Sequence, residues 1–237
     1  MTEIKSEGKC HFCDKILSQR GINRHLHTHL SKLEERKGTS FLVYVKADLM
    51  FLSLWVDGAI QFGDLDDFLR AIWLECCGHL SAFRDQKGYY SHPDTSENEF
   101  WMEPDPHEVP FTLPVKRVFT KGKKLEYEYD FGSSTYLAIE IKNEYSIQNA
   151  EGITLLSRNE PLELRCNTCG KQAATEICTV HLWDGMGLFC EKCGEKHAEK
   201  CEDFAEYAGL PVVNSPRMGV CAYEGGRIDT ARDGIFK

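Results

Sequence analysis

Eight metal-capable residues near the C-terminus fall into four evenly spaced pairs: Cys166/Cys169, Cys178/His181, Cys190/Cys193 and His197/Cys201. The full pattern is C-x2-C-x8-C-x2-H-x8-C-x2-C-x3-H-x3-C. Each pair can offer two donors to one tetrahedral zinc ion, so four pairs make two complete sites. Pairs one and three share a form, Cys166-Asn-Thr-Cys169-Gly170 and Cys190-Glu-Lys-Cys193-Gly194. The two-residue spacing lets two thiolates converge from one tight turn, and the following glycine permits a positive φ there. These four cysteines are assigned to one site. Cys178, His181, His197 and Cys201 then make the second, and the sites alternate along the chain as a cross-brace. His197 and Cys201 lie four apart in Glu195–Ala208, a stretch of helical character, and so share one face that Phe204, Ala205 and Ala208 continue as an apolar stripe. The competing reading is one zinc, with Cys178 and Cys201 as buried thiols and both histidines on the surface. Four protein ligands leave no position for a reactive water, so the expected role is structural. A segment this short buries too little apolar surface to fold unaided, and a metal supplies the difference.

A third site is expected near the N-terminus. Cys10-x2-Cys13-x11-His25-x3-His29 is a Cys2His2 pattern with the histidines at i, i+4 on one helical face. Ile22 and Leu17 are expected to fill its small core, and His27 competes as a ligand but fits a helix less well. The positions that would face bases are Ser18, Gly21 and Arg24, and Gly21 has no side chain to read with. One such element spans about three base pairs. Backbone contact remains open to Arg20, Arg24, Lys32, Arg36 and Lys37.

The chain has 237 residues and a formal charge of −9. Residues 1–38 hold eight Lys/Arg against five Asp/Glu, a local +3, so the acidic balance belongs to the remainder. That distribution disfavours broad nucleic-acid binding and keeps a local version at the N-terminus. Met1-Thr2-Glu3-Ile4-Lys5 lacks the apolar run of a secretory signal, and Phe41–Phe62 is interrupted by Lys46, Asp48 and Asp57, which argues against a membrane span. Eleven cysteines then point to zinc in a reducing cytoplasm rather than to disulfides. Three cysteines fall outside the patterns. Cys76 and Cys77 are expected to be buried in an amphipathic helix, and Cys221 has no assigned role.

The elements that must position these ligands surround an α+β centre. Phe41–Val45 and Leu49–Val56 read as strands. Asp64 can cap a helix through Leu65–Cys77, whose Phe68, Leu69, Ile72, Trp73 and Cys76 fall at helical spacing, and Gly78 ends it. Residues 85–110 read as a long polar loop. Leu125–Phe131 and Tyr136–Ile141 alternate with period two around Gly132-Ser133-Ser134, a hairpin, with Lys121–Lys124 as a basic turn before it; Ile153–Ser157 is expected to close the sheet.

These residues also carry a resemblance. Tyr127–Ile141 (YEYDFGSSTYLAIEI) resembles the YDFG hairpin of the plasmid ORF-three-like family, named from an Ri plasmid and also labelled transposon-passenger or resolvase-like. Leu65–Phe83 (LDDFLRAIWLECCGHLSAF) is similar to its helix-plus-strand segment, and Leu210–Gly225 (LPVVNSPRMGVCAYEG) to the tail of zinc-bearing members. Members usually carry an acidic or amide pair where this chain has Ser133 and Ser134. The resemblance implies an α+β fold over residues 40–225 and a placement for His79, without a defined activity. The C-terminal alternation resembles RING, MYND and B-box modules, though not in its spacings.

The expected organisation is therefore a Cys2His2-type finger with a basic linker (1–38), a plasmid ORF-three-like α+β domain with a small mixed sheet (39–160), a cross-brace two-zinc module (161–208) and an extended tail (209–237). No P-loop, dinucleotide fingerprint, GxSxG or HExxH is present. The reading that follows is a non-enzymatic, three-zinc adaptor or regulator engaging a protein or nucleoprotein, with nucleic-acid contact through residues 1–38. The alternative is an enzyme or accessory factor acting on the nucleic acid of a mobile element, which requires Asp64, His79 and Asp130 to converge. A zinc-responsive regulator would need one labile site.

Overall fold

The computed structural model describes residues 4–33, 37–91, 108–182 and 184–233. The fold is mixed α+β, with one large sheet and few helices, in two compact units: Glu7–Leu69 with His79–Asn159, and Met1–Ser6 with Arg70–Gly78 and Glu160–Lys237.

The first unit opens with a short hairpin, β1 (Glu7–Lys9) and β2 (Ile16–Ser18), followed by α1 (Ile22–Leu30). Strands β3 (Ser40–Ala47) and β4 (Met50–Asp57) pair antiparallel along their whole length, and α2 (Phe62–Leu69) follows. Then come β5 (Ser81–Arg84), β6 (Tyr89–Ser91), β7 (Glu108–Pro110), β8 (Lys124–Tyr129), β9 (Thr135–Tyr145) and β10 (Ile153–Arg158). The eight-stranded sheet runs β10-β4-β3-β9-β8-β5-β6-β7, antiparallel except for the β6–β7 pair. The stretch read as a loop over 85–110 thus contributes the last two strands of the sheet, β6 and the edge strand β7, and residues 92–107 lie outside the described part.

Strand β3 is apolar on both faces because both faces are covered. Leu42 and Tyr44 join one cluster with Ile22, Leu26 and Leu30 of α1, Phe51, Tyr145, Ile147 and Leu156. On the other side Phe41 meets Phe119 edge-on, and Phe119 meets Phe62 of α2. The N-terminal segment therefore shares the core of the sheet. Its hairpin is also tied to the sheet's edge: the N–H of His11 donates to Leu156 O at 2.9 Å, and Gly8 sits where an added Cβ would lie 2.6 Å from Arg158 O.

Helix α2 starts earlier than expected, and Asp64 caps it from inside: its Oδ2 accepts the N–H of Gln61 at 2.8 Å. The helix passes into a π-helical turn, Arg70–Leu74, and stops there. Cys76 and Cys77 lie beyond it, half-buried and exposed respectively, which corrects their expected burial in the helix. Asp66 of α2 is buried and accepts from Ser81 Oγ and Tyr127 OH, each at 2.6 Å. The β8–β9 hairpin turns on Asp130, whose φ is 65° and whose Oδ1 accepts the N–H groups of Gly132 and Ser133.

The second unit holds a three-stranded sheet, β12-β11-β13, built from β11 (Glu176–Cys178), β12 (Leu188–Phe189) and β13 (Gly209–Pro211), with α3 (Glu191–Ala198) between β12 and β13 in sequence. The expected helix over Glu195–Ala208 is two pieces, the end of α3 and a π-helical turn at Phe204–Ala208. The tail is held in place. Ser215 Oγ donates to Trp73 O at 2.6 Å, Arg227 N–H to Ala71 O at 2.6 Å, and Asn214 N–H to Asp233 O at 2.7 Å.

If α1 belongs to the sheet's core, Leu26→Ala should cost about 2–5 kcal/mol of global stability. Urea unfolding followed by the signal of the sheet tests this; an unchanged midpoint for the sheet would mean that the N-terminal segment folds on its own.

Candidate metal centres

Three donor sets expected from spacing come together as four-residue clusters in space. In each, the four ligand atoms lie within 4.8 Å of one another, so each could hold a metal ion.

Cys10, Cys13, His25 and His29 form the first. The turn after β1 presents the two thiols: Cys10 N–H donates to Lys15 O at 2.9 Å, and Asp14, at φ 59°, returns its N–H to Cys10 O. Cys13 Sγ lies 3.2 Å from His25 Nε2, which lies 3.2 Å from His29 Nε2. His27 faces the other way, its Nδ1 2.9 Å from Tyr145 OH, and is not part of the set.

Cys166, Cys169, Cys190 and Cys193 form the second cluster. Gly170 takes the positive φ expected of it, 64°, while Gly194 does not: it lies within α3, and its missing Cβ makes room for the carboxylate of Glu176. The backbone prepares two of the sulfurs for negative charge. Burial pushes the Cys166 thiol up, but N–H groups of Cys169, Cys190 and Thr168 outweigh it and bring it from 9.0 down to about 6. The N–H groups of Gln172 and Lys171 lower Cys169 as well. Cys193 goes the opposite way, to about 12, chiefly because of the neighbouring Cys190 thiol. Four thiols this close cannot all ionise alone; a divalent cation removes that obstacle.

Cys178, His181, His197 and Cys201 form the third. The central strand β11 carries Cys178, whose Sγ is 3.2 Å from His181 Nδ1. A single helical turn, Cys201 N–H to His197 O at 2.9 Å, sets the other pair. The His197 ring stacks on Phe189 with centroids 4.3 Å apart. Its Nε2 is buried with no hydrogen-bond partner among the described residues, an arrangement that suits a metal ligand and is costly otherwise. Burial and then His181 hold His197 below the usual imidazole range, and burial and then His29 do the same for His25.

The carboxylates considered for catalysis are committed to structure: Asp64 to the start of α2, Asp130 to its hairpin with His79 Nδ1 at 3.5 Å. Sequence reasoning also missed that Cys76, Cys77 and Cys221 lie side by side, since 144 residues separate the last two. The local signal was the Cys-Cys-Gly-His run at 76–79.

No family model matches the chain, and no curated protein matches it. A solved structure, the protein of unknown function MM3350 from Methanosarcina mazei Go1, is similar over 52% of this chain and 68% of that one, at 14% identity and a TM-score of 0.40. No helix among the described residues is long and apolar enough to cross a membrane.

Because His25 and His197 titrate below 6.5 when folded, the unfolded chain takes up protons first on acidification. Stability should therefore be fully present above about 6.5 and fall as pH drops below it. Melting temperatures between about pH 8 and 5.5 check the sign; a flat profile contradicts it.

Proposed function

We propose that the protein is a non-enzymatic zinc-binding adaptor. Structural zinc ions in the three expected clusters would make a Cys2His2-type finger and a cross-braced pair of sites, and their surfaces would engage a protein or nucleoprotein partner. The observation that carries this reading is the closure of each donor set: four sulfur and nitrogen atoms within 4.8 Å leave no ligand position for substrate or reactive water. Thiolate and imidazole donors in fours suit zinc among the available divalent ions.

Contact with phosphate would come from the N-terminal finger. Its apolar face, Ile22, Leu26 and Leu30, is buried, whereas Arg20, Arg24 and Lys32 are exposed, as is Lys37; Arg36 lies outside the described residues. Gly21 offers no side chain, so the contact would be to backbone rather than to bases. The resemblance to the plasmid ORF-three-like family agrees with a mobile-element setting and adds no chemistry of its own.

Two measurements test the proposal. Elemental analysis of the purified chain should find zinc, and strong chelator should abolish cooperative unfolding of the C-terminal unit; a metal-free chain that stays folded in chelator refutes it. Binding to a short fluorescent duplex at low salt should weaken about tenfold or more in the Arg20→Glu/Arg24→Glu variant and show a shallower salt slope. Equal binding by the parent and the variant would remove the finger from the interface.

A further inference from the structure

We infer that Cys76, Cys77 and Cys221 form a fourth metal site, for a thiophilic divalent ion of the zinc class, which clips the C-terminal segment to the end of the π-helical turn. The thiols are close: Cys76 and Cys77 Sγ are 3.7 Å apart, and Cys77 and Cys221 Sγ 3.5 Å. All three thiols belong to the same compact unit, which holds Arg70–Gly78 and Glu160–Lys237.

The surroundings favour sulfur as an anion. Arg217 is fully buried, and its Nη2 donates toward Cys76 Sγ at 3.7 Å. The turn bearing the vicinal pair is pinned by Glu75, whose Oε1 accepts the N–H of Gly78 at 2.6 Å and whose Oε2 pairs with Arg70 at 2.9 Å. Gly78 itself has φ 79°. On the other strand of the clip, Cys221 and Ala222 both occupy the left-handed region, φ 50° and 52°, a conformation that side-chain-bearing residues hold only when their surroundings enforce it. On binding, the ion replaces the thiol protons, which leave to solvent, and no redox change is involved.

The site differs from the other three in linking residues 144 positions apart. The same two segments are also joined by the hydrogen bonds from Ser215 to Trp73 O and from Arg227 to Ala71 O.

The test uses the full chain, purified under reducing conditions and loaded with zinc. The parent should hold one zinc more per chain than Cys77→Ser/Cys221→Ser, with every other site still filled. Equal stoichiometry overturns the fourth site while leaving the other three intact, whereas a parent without zinc refutes the adaptor reading itself. Should the variant fail to fold, alkylation mapped by mass spectrometry on the unmutated chain decides. Cys77 and Cys221 are exposed, yet should react at least tenfold more slowly with zinc bound than after chelation. Equal rates, or a Cys77–Cys221 disulfide that survives in reductant, exclude the site.

Discussion

Mutual repulsion among sulfur donors is the constraint on which this structure turns. Thiol sulfurs 3.5–3.9 Å apart recur at separate places in the chain, and a neutral hydrogen-bonded arrangement of so many thiols offers little stabilisation. What brings them together locally is backbone geometry: N–H groups aimed at Cys166 and Cys169, a left-handed residue after Cys13 or Cys169, one helical turn between His25 and His29. Each device costs conformational freedom, and each suits a sulfur that would become an anion bound to a cation. The density of donors and the preparation of the backbone are therefore two expressions of the same requirement.

The two units answer that requirement differently. In the first, the donors Cys10, Cys13, His25 and His29 sit on a segment whose apolar side is already covered by Leu42, Tyr44 and Tyr145. Cys10 is itself part of that core. Metal there would set the orientation of α1 against a sheet that has its own aromatic cluster around Phe62, Phe83 and Phe119. In the second unit the apolar cluster near the third donor set is small, Phe189 and Phe204 with the buried thiol of Cys178. A core of that size adds little stability by itself, so an ion held there would contribute correspondingly more.

How much of this was legible in the sequence follows from the range of each signal. Ligands paired at two- or three-residue spacing announce themselves, because one turn of backbone fixes both; all twelve expected donors came together in their expected groups. Period-two alternation located β8 and β9, and apolar runs located β3 and β4. What escaped depended on distance or on a neighbour's side chain. Gly194 looked like a turn glycine, but its role is set by Glu176 lying against it. Asp66 lies in an acidic helix start, but Ser81 of β5 and Tyr127 of β8 reach it across the fold. The helix through Cys77 looked continuous because Ile72, Trp73 and Cys76 keep the spacing, while the π-helical turn shifts the phase and ends it at Leu74.

That phase shift has a structural consequence. A continued α-helix would place Cys76 and Cys77 on successive faces about 100° apart. Ending at Leu74 frees the next residues to take turn geometry, and Gly78 with its positive φ completes the reversal. The same short segment offers the carbonyls of Ala71 and Trp73 to the tail, so the departure from α-helical hydrogen bonding is used twice. A π-helical turn costs stability within the helix, and here the bonds from Arg227 and Ser215 offset it from outside. Replacing Gly226 by any residue with a Cβ would set that atom against Ile72 O and break this arrangement from the tail's side. The segment Arg70–Gly78 is thus defined less by its own propensity than by the residues near the C-terminus that fold back upon it, which is why it groups with them rather than with the helix that precedes it.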